Sequence, residues 1–282
     1  MSFKIIDTNK GVGRQDINLL FPGWEEGKEK LAVFSPHDDD ALIGASYAMK
    51  TVQENQGEVY VFIFCNGNAG YSHIDQKDTV VNVRKEETVL AYSKLGIPKE
   101  NIIRFDWNDF DAIRYLGREK DEDDQGSFQK VITILRNIGI TRLLVPNHHK
   151  EHMDHTAVHL IGSYHAPQAG DPIVVDWGDP LPVKSVAEYS VWADFSPLDA
   201  LSEKRTLRAN RILLVEATVE ENVRQAITEY RSQGKIIADL IASRDNRRLE
   251  TGFYMELYIL FDPRPKLDYT PYKQYLNDHG LL

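Results

Sequence analysis

The sequence has a single cysteine, Cys65, so no intrachain disulfide can form and clusters built from several thiolates are excluded. Any metal must rest on histidine and carboxylate. No segment approaches the roughly 20 apolar residues of a membrane span, and residues 1–13 hold no apolar stretch of the kind a secretory signal needs. Positive charge is in short supply too: 33 Lys+Arg face 43 Asp+Glu, a net charge of -10, and such a field repels phosphate backbones and anionic lipid surfaces. Nucleic acid and membranes are therefore not expected as partners, and a cytoplasmic location is. Gly11-Val12-Gly13 follows no convincing strand and lacks a third glycine, which argues against dinucleotide binding. Internal repeats, low-complexity tracts and linkers are absent.

What is present is enough for a large core: 282 residues, 42% hydrophobic and 27% charged, ordinary values for one globular domain. We expect a single domain over 1–282, with 1–30 as an N-terminal leader and 167–200 as a long loop region near the site. Leu31 to Ser35 and Val59 to Cys65 are apolar runs that read as buried strands, with a helix between them over Ala41 to Glu54. Val80, Val83, Thr88, Ala91, Tyr92 and Leu95 recur at helical spacing before Gly96 and Pro98, which predicts a helix over Thr79 to Leu95. Asn101 to Phe105 and Thr141 to Val145 read as strands around a helix over Ser127 to Ile138. Ile212 to Val215 and Tyr254 to Phe261 follow as strands, with one long helix over Glu221 to Ser243. This alternation predicts an α/β, Rossmann-like three-layer fold with a mostly parallel sheet and helices on both faces. The charged stretch from Asp106 to Gln125 reads as a solvated loop or helix face without chemistry.

Two acid and histidine clusters fall just after predicted strands, where sites collect in parallel α/β sheets. Pro36-His37-Asp38-Asp39-Asp40 follows the first strand, and His152-Met153-Asp154-His155 follows the strand Thr141 to Val145. Three adjacent carboxylates repel one another unless a cation or helix N-terminus compensates them. Helix capping by Asp38 to Asp40 is the simpler use; the second cluster favours a metal. Catalytic zinc takes three protein ligands and keeps a position for water, so one His and one Asp of the first loop need one more His, and His155 can supply it. His148, His149, His159, His165 and His73 are spare, and His159 can share a helix face with His155.

The chain resembles the PIG-L/LmbE-type N-acetylglucosaminyl deacetylases. Pro36 to Gly44 (PHDDDALIG) aligns without a gap to their Pro-His-Pro-Asp-Asp-Glu-x-x-Gly signature, and His152 to His155 matches His-x-Asp-His. Softer matches are Asn66-Gly67, Arg84 with Glu87 leading to Leu95-Gly96, and Tyr230-Arg231-Ser232-Gln233. The resemblance spans Leu31 to Phe261; Asp38 and Ala41 depart from the signature. It implies His37, Asp40 and His155 as ligands of one zinc, with ferrous iron the other option, and Asp39 as general base. It further implies His152 as acid or electrophile oriented by Asp154, and Arg84 as a holder of substrate hydroxyls. On spacing alone Arg84 could equally pair with Glu87. The implied reaction is hydrolysis of a linear, non-peptide amide: removal of an N-acetyl group from a small amino sugar or its conjugate. A receiver-like phosphoacceptor module and a non-catalytic metal- or carbohydrate-binding protein are the rival readings. The sequence leaves open the substrate, the metal, the role of the 167–200 loop and whether the chain forms a homo-oligomer.

Overall fold

In the computed structural model, which describes residues 3–121, 124–149, 151–193, 195 and 207–281, the apolar runs become the strands of one large sheet. Its members are β1 (Phe3–Asp7), β2 (Val12–Arg14), β3 (Lys30–Ser35), β4 (Glu58–Cys65), β5 (Ile102–Trp107), β8 (Arg142–Pro146), β9 (Ser185–Tyr189), β10 (Arg211–Val215) and β11 (Tyr254–Phe261). They lie in the order β2-β1-β10-β11-β9-β8-β3-β4-β5, and β6 (Glu119–Asp121) with β7 (Asp124–Gln125) makes a separate hairpin. The helices are α1 (Asp40–Gly44), α2 (Ser46–Glu54), α3 (Val80–Lys94), α4 (Ser127–Ile138), α5 (Met153–Leu160), α6 (Ala217–Ile227), α7 (Gly234–Ser243) and α8 (Thr270–Asp278).

The sheet is mixed, which corrects the expectation of a mostly parallel one. The run β9-β8-β3-β4-β5 is parallel, whereas β9 with β11, β11 with β10, β10 with β1 and β1 with β2 pair antiparallel. A short run of strand-forming residues carries no mark of its direction, so β10 and β11 gave no hint that they run against their neighbours. Helices do cover both faces, as expected. One core packs Val33, Val61 and Leu213 with Met49, Val52, Tyr92, Val223 and Leu240; the other packs Phe34, Phe62 and Phe64 with Val131, Leu135, Val158 and Ile161.

Several expectations shift. Residues read as a leader supply β1, which alternates buried and more exposed residues between its two neighbours, and β2, the short strand at the edge of the sheet. The Pro167 to Pro197 excursion contains β9, while 194, 196 and 197 lie outside the described residues. The helix expected over Ala41 to Glu54 is broken at Ala45, and the one expected over Glu221 to Ser243 is broken between Ile227 and Gly234.

The parallel half fixes where a site can form. From β3 the chain moves outward through β4 to β5, then returns to the other side of β3 for β8 and β9. Connections leave β3 and β8 in opposite directions, which opens a crevice at their carboxyl ends, the usual ligand position in such sheets. Both acid and histidine clusters start there.

Candidate metal centre

Directly after β3, the loop His37 to Asp39 folds back on itself and enters α1. Asp39 occupies the helix cap position but its side chain makes no capping bond; Ser35 Oγ instead accepts the Ala41 N–H at 3.0 Å. The aspartates are therefore not caps. Asp40 turns inward, and its Oδ2 accepts the His37 backbone N–H at 2.8 Å. The same oxygen lies 3.0 Å from His37 Nδ1 and 3.2 Å from His155 Nε2. The imidazole of 155 thus faces the carboxylate of 40 across the crevice. Gly44, the last residue of the first motif, closes this arrangement: a Cβ there would lie 2.6 Å from the Ser190 carbonyl and from the Tyr189 ring.

The second nitrogen of each of these two imidazoles is held by its own buried carboxylate. His37 Nε2 is 3.3 Å from Asp154 Oδ2, and His155 Nδ1 is 2.8 Å from Glu151 Oε2. If those outer nitrogens carry the protons, the inner lone pairs of His37 Nδ1 and His155 Nε2 converge on Asp40 Oδ2. Two lone pairs and a carboxylate oxygen pointed at one another demand a cation. Carboxylate-backed histidines are the usual arrangement around bound metals, and the 3.0 and 3.2 Å separations approach the roughly 3.4 Å edge of a tetrahedron of zinc ligands. The donor set of two imidazoles and one carboxylate fits a borderline divalent ion.

The local field agrees. Burial opposes charge on His155, but Asp40 and Glu151 outweigh it and lift the imidazole to about 9. Burial likewise opposes charge on His37, and Asp154 and Asp40 raise it well above the usual range. Burial would raise Asp40, yet His155 and His37 hold it well below an ordinary carboxylate. The cage favours net positive charge between its donors.

Asp39 sits beside the cage with 14% of its side chain exposed, against 3% for Asp40 and 2% for His155. Burial, with Asp40 adding to it, raises its proton affinity, and Arg84 moderates the rise. Arg84 was expected to hold substrate, but it is only 4% exposed. Its Nε donates to Asp38 Oδ2 at 3.1 Å and its Nη2 to Asp39 Oδ1 at 3.3 Å. The alternative pair with Glu87 is not formed, because Glu87 accepts from Ser232 N and Oγ at 2.7 and 2.6 Å.

Asp38, the departure from the family signature, is an anchor. It is fully buried and also accepts from Arg104 and from Thr88 Oγ1, while its carbonyl accepts from Tyr92 OH at 3.1 Å and Tyr230 OH at 2.7 Å.

His152 caps α5: its Nδ1 accepts the Asp154 N–H at 3.1 Å. Residue 154 does orient it, but through the backbone; the carboxylate is 3.5 Å away and is engaged by His37 and the Phe110 N–H at 2.7 Å. Burial and the neighbouring His37 push His152 below the ordinary histidine range. The neutral ring therefore carries its proton on Nε2, on a side chain 28% exposed.

Three contributors went unseen in the sequence. Glu151 has a side chain with no exposed surface, and its Oε1 accepts backbone N–H groups of Val191, Trp192 and Ala193 at 3.0, 2.8 and 2.9 Å. Its position four residues before His155 was the available signal. Asp109 and Phe110 come from the stretch denied chemistry. Asp109 accepts from Gly67 N and Ala69 N at 2.8 and 2.9 Å. Phe110, at a φ of 68° uncommon for a bulky residue, sets its ring 4.6 Å from that of His152. Among the described residues, no helix is long and apolar enough to cross a membrane.

The chain resembles the N,N'-diacetylchitobiose deacetylase of Pyrococcus horikoshii at 18% identity, covering 84% of each chain with a TM-score of 0.63. It resembles the 4-carboxy-2-hydroxymuconate hydratase of Pseudomonas putida at 15% identity, covering 85% of this chain and 99% of that one with a TM-score of 0.61. A zinc-inhibited form of teicoplanin deacetylase aligns at 15% identity over 82% of this chain and 97% of its own, with a TM-score of 0.55. Likeness at this level shows the shared fold. No curated protein matches the sequence. Residues 32–164, which contain most of β3, all of β8 and both halves of the cage, match the family model PIG-L, GlcNAc-PI de-N-acetylase.

Proposed function

We propose that this protein is a zinc-dependent deacetylase that hydrolyses the N-acetyl group of an amino sugar or an amino-sugar conjugate, with His37, Asp40 and His155 as the metal ligands. The observation that carries the reading is the convergence of His37 Nδ1 and His155 Nε2 on Asp40 Oδ2 beside a partly exposed Asp39. Bound there, zinc, or ferrous iron in its place, would polarise the acetyl carbonyl and bring the pKa of water to near 7.

The protein's own groups supply the proton transfers. Asp39, whose proton affinity is raised by burial, takes the proton of the attacking water and returns it to the amine nitrogen as the C–N bond breaks. Arg84 fixes the Asp39 carboxylate and opposes that rise. The Nε2–H of neutral His152 donates to the carbonyl oxygen as negative charge develops on it, a preorganised contact of the oxyanion-hole kind. Asp154 and Glu151 hold the two ligand rings, so neither turns when substrate enters.

The test is acetate release from a panel of N-acetylhexosamine conjugates by zinc-reconstituted protein. Release that disappears on chelation and returns with zinc supports the reading. No acetate from any member of the panel, with zinc bound, would overturn it. Hydration, the chemistry named for the structurally similar 4-carboxy-2-hydroxymuconate hydratase, would instead appear as water addition to an unsaturated acid without acetate.

A further inference from the structure

One helical turn beyond His155, α5 carries His159 on its way back over β8. This ring meets His148, from the loop after β8, with centroids 4.2 Å apart, and both face Glu188 of β9. Glu188 is a buried carboxylate, 4% exposed. Among the described residues its side-chain partners are these two imidazoles and the His148 backbone, with no lysine or arginine. A carboxylate buried beside nominally neutral rings is costly unless positive charge joins it.

The distances say which charge fits. His148 Nδ1 is 2.9 Å from Glu188 Oε1, and the same oxygen accepts the His148 N–H at 3.1 Å. His159 Nδ1 lies 3.6 Å from that oxygen, too far for a hydrogen bond but near the roughly 3.4 Å edge of a tetrahedral zinc site. These donors lie within 4.8 Å of one another. His159 is also able to present a lone pair. Its Nδ1 now faces the Pro146 carbonyl at 2.9 Å, and its Nε2 faces Ser163 Oγ at 3.0 Å. The carbonyl only accepts, so without metal the proton sits on Nδ1; a bound cation would take its place facing that carbonyl, and the proton would move to Nε2, where the Ser163 hydroxyl can accept it. His148 can make the same tautomer change, because its side chain is 35% exposed and water can take the Nε2–H.

We propose that His148, His159 and Glu188 form a second site for a divalent transition metal such as zinc, separate from the His37, Asp40 and His155 cage. With three protein donors and an open side it completes its shell with water. Metal there ties α5 to β9 and to the loop after β8, the three elements that also position His155 and Glu151.

The test is zinc content by mass spectrometry under native conditions after equilibration with zinc and removal of the excess. The intact protein is expected to hold two zinc ions per chain, and the single variants His148→Ala and Glu188→Gln one each. His155→Ala should also hold one, at the second site, and His155→Ala combined with His148→Ala none. Glu188→Gln preserves shape and hydrogen bonding, and circular dichroism establishes that each variant is folded. One zinc in the intact protein, unchanged by His148→Ala and abolished by His155→Ala, would overturn the second site and leave the cage intact. Two zinc ions in both His148→Ala and Glu188→Gln would overturn it as well.

Discussion

Glu151 offers a perturbation whose outcome follows from atom positions. Its Oε1 is fixed by three backbone N–H groups, from Val191, Trp192 and Ala193, and its Oε2 faces His155 Nδ1 at 2.8 Å. In Glu151→Gln the amide has one favourable orientation: its oxygen must stay with the three donors, so its NH₂ takes the place of Oε2. That group donates and cannot accept, which forces the His155 proton from Nδ1 to Nε2. Nε2–H then points at Asp40 Oδ2, 3.2 Å away, where the ligand lone pair should be. The loop after β9 keeps its hydrogen bonds, so the fold should survive while the cage loses a ligand tautomer. Loss of an outer-shell partner of this kind weakens metal binding typically about 10- to 100-fold, or about 1.4 to 2.7 kcal/mol. Competition for zinc against a chromogenic chelator reads this directly, with the His148, His159 and Glu188 donors removed in both proteins to isolate the cage. A folded Glu151→Gln protein whose cage holds zinc as tightly as before would refute the tautomer argument.

Asp39→Asn should keep its zinc and lose roughly 10² to 10⁴ in turnover, the usual worth of general base help; an empty cage would instead make Asp39 a ligand. His152→Ala should bind metal normally and slow the chemical step, with kcat falling more than KM rises, and unchanged steady-state rates would remove it from the mechanism. Far from the site, at the start of β3 and β8, buried Glu29 meets Arg142 through two bonds of 2.9 and 3.0 Å. Burial there favours the protonated acid, but Arg142, Thr141 and Lys184 prevail and hold Glu29 at about 2 against an ordinary 4.5. Because the folded value is the lower one, this stabilisation, about 3 kcal/mol, is complete above pH 4.5 and fades as pH falls toward 2. Urea melts of Glu29→Gln should lack that part of the acid dependence, and parallel pH profiles would contradict the assignment.

The parts of the fold that could be read from sequence are those whose residues answer to one constraint. β3 and β4 are buried on both faces, so their apolar runs declared them, and α4 keeps an apolar stripe from end to end. The expected helix over Glu221 to Ser243 fails because distant partners claim its middle. Tyr230 reaches the Asp38 carbonyl and Gln233 reaches the Gly70 carbonyl, contacts that local periodicity cannot encode. β9 was hidden by the prolines before it, and α8 has no buried residue to give it a face. At the site, His37, Asp40 and His155 come together as their motifs implied. The supporting shell was harder to see, because Asp154 serves His37 with its carboxylate and His152 with its backbone. Asp109 and Phe110 arrive from a charged loop whose composition favours solvent.

The most direct test of the account is a crystal of the zinc-soaked protein with anomalous diffraction recorded at the zinc edge. A peak is expected at about 2.0 to 2.2 Å from His37 Nδ1, Asp40 Oδ2 and His155 Nε2 together, with Asp39 outside its ligands. A fully occupied peak bound to Asp39 in place of Asp40, or none within reach of His155, would contradict it.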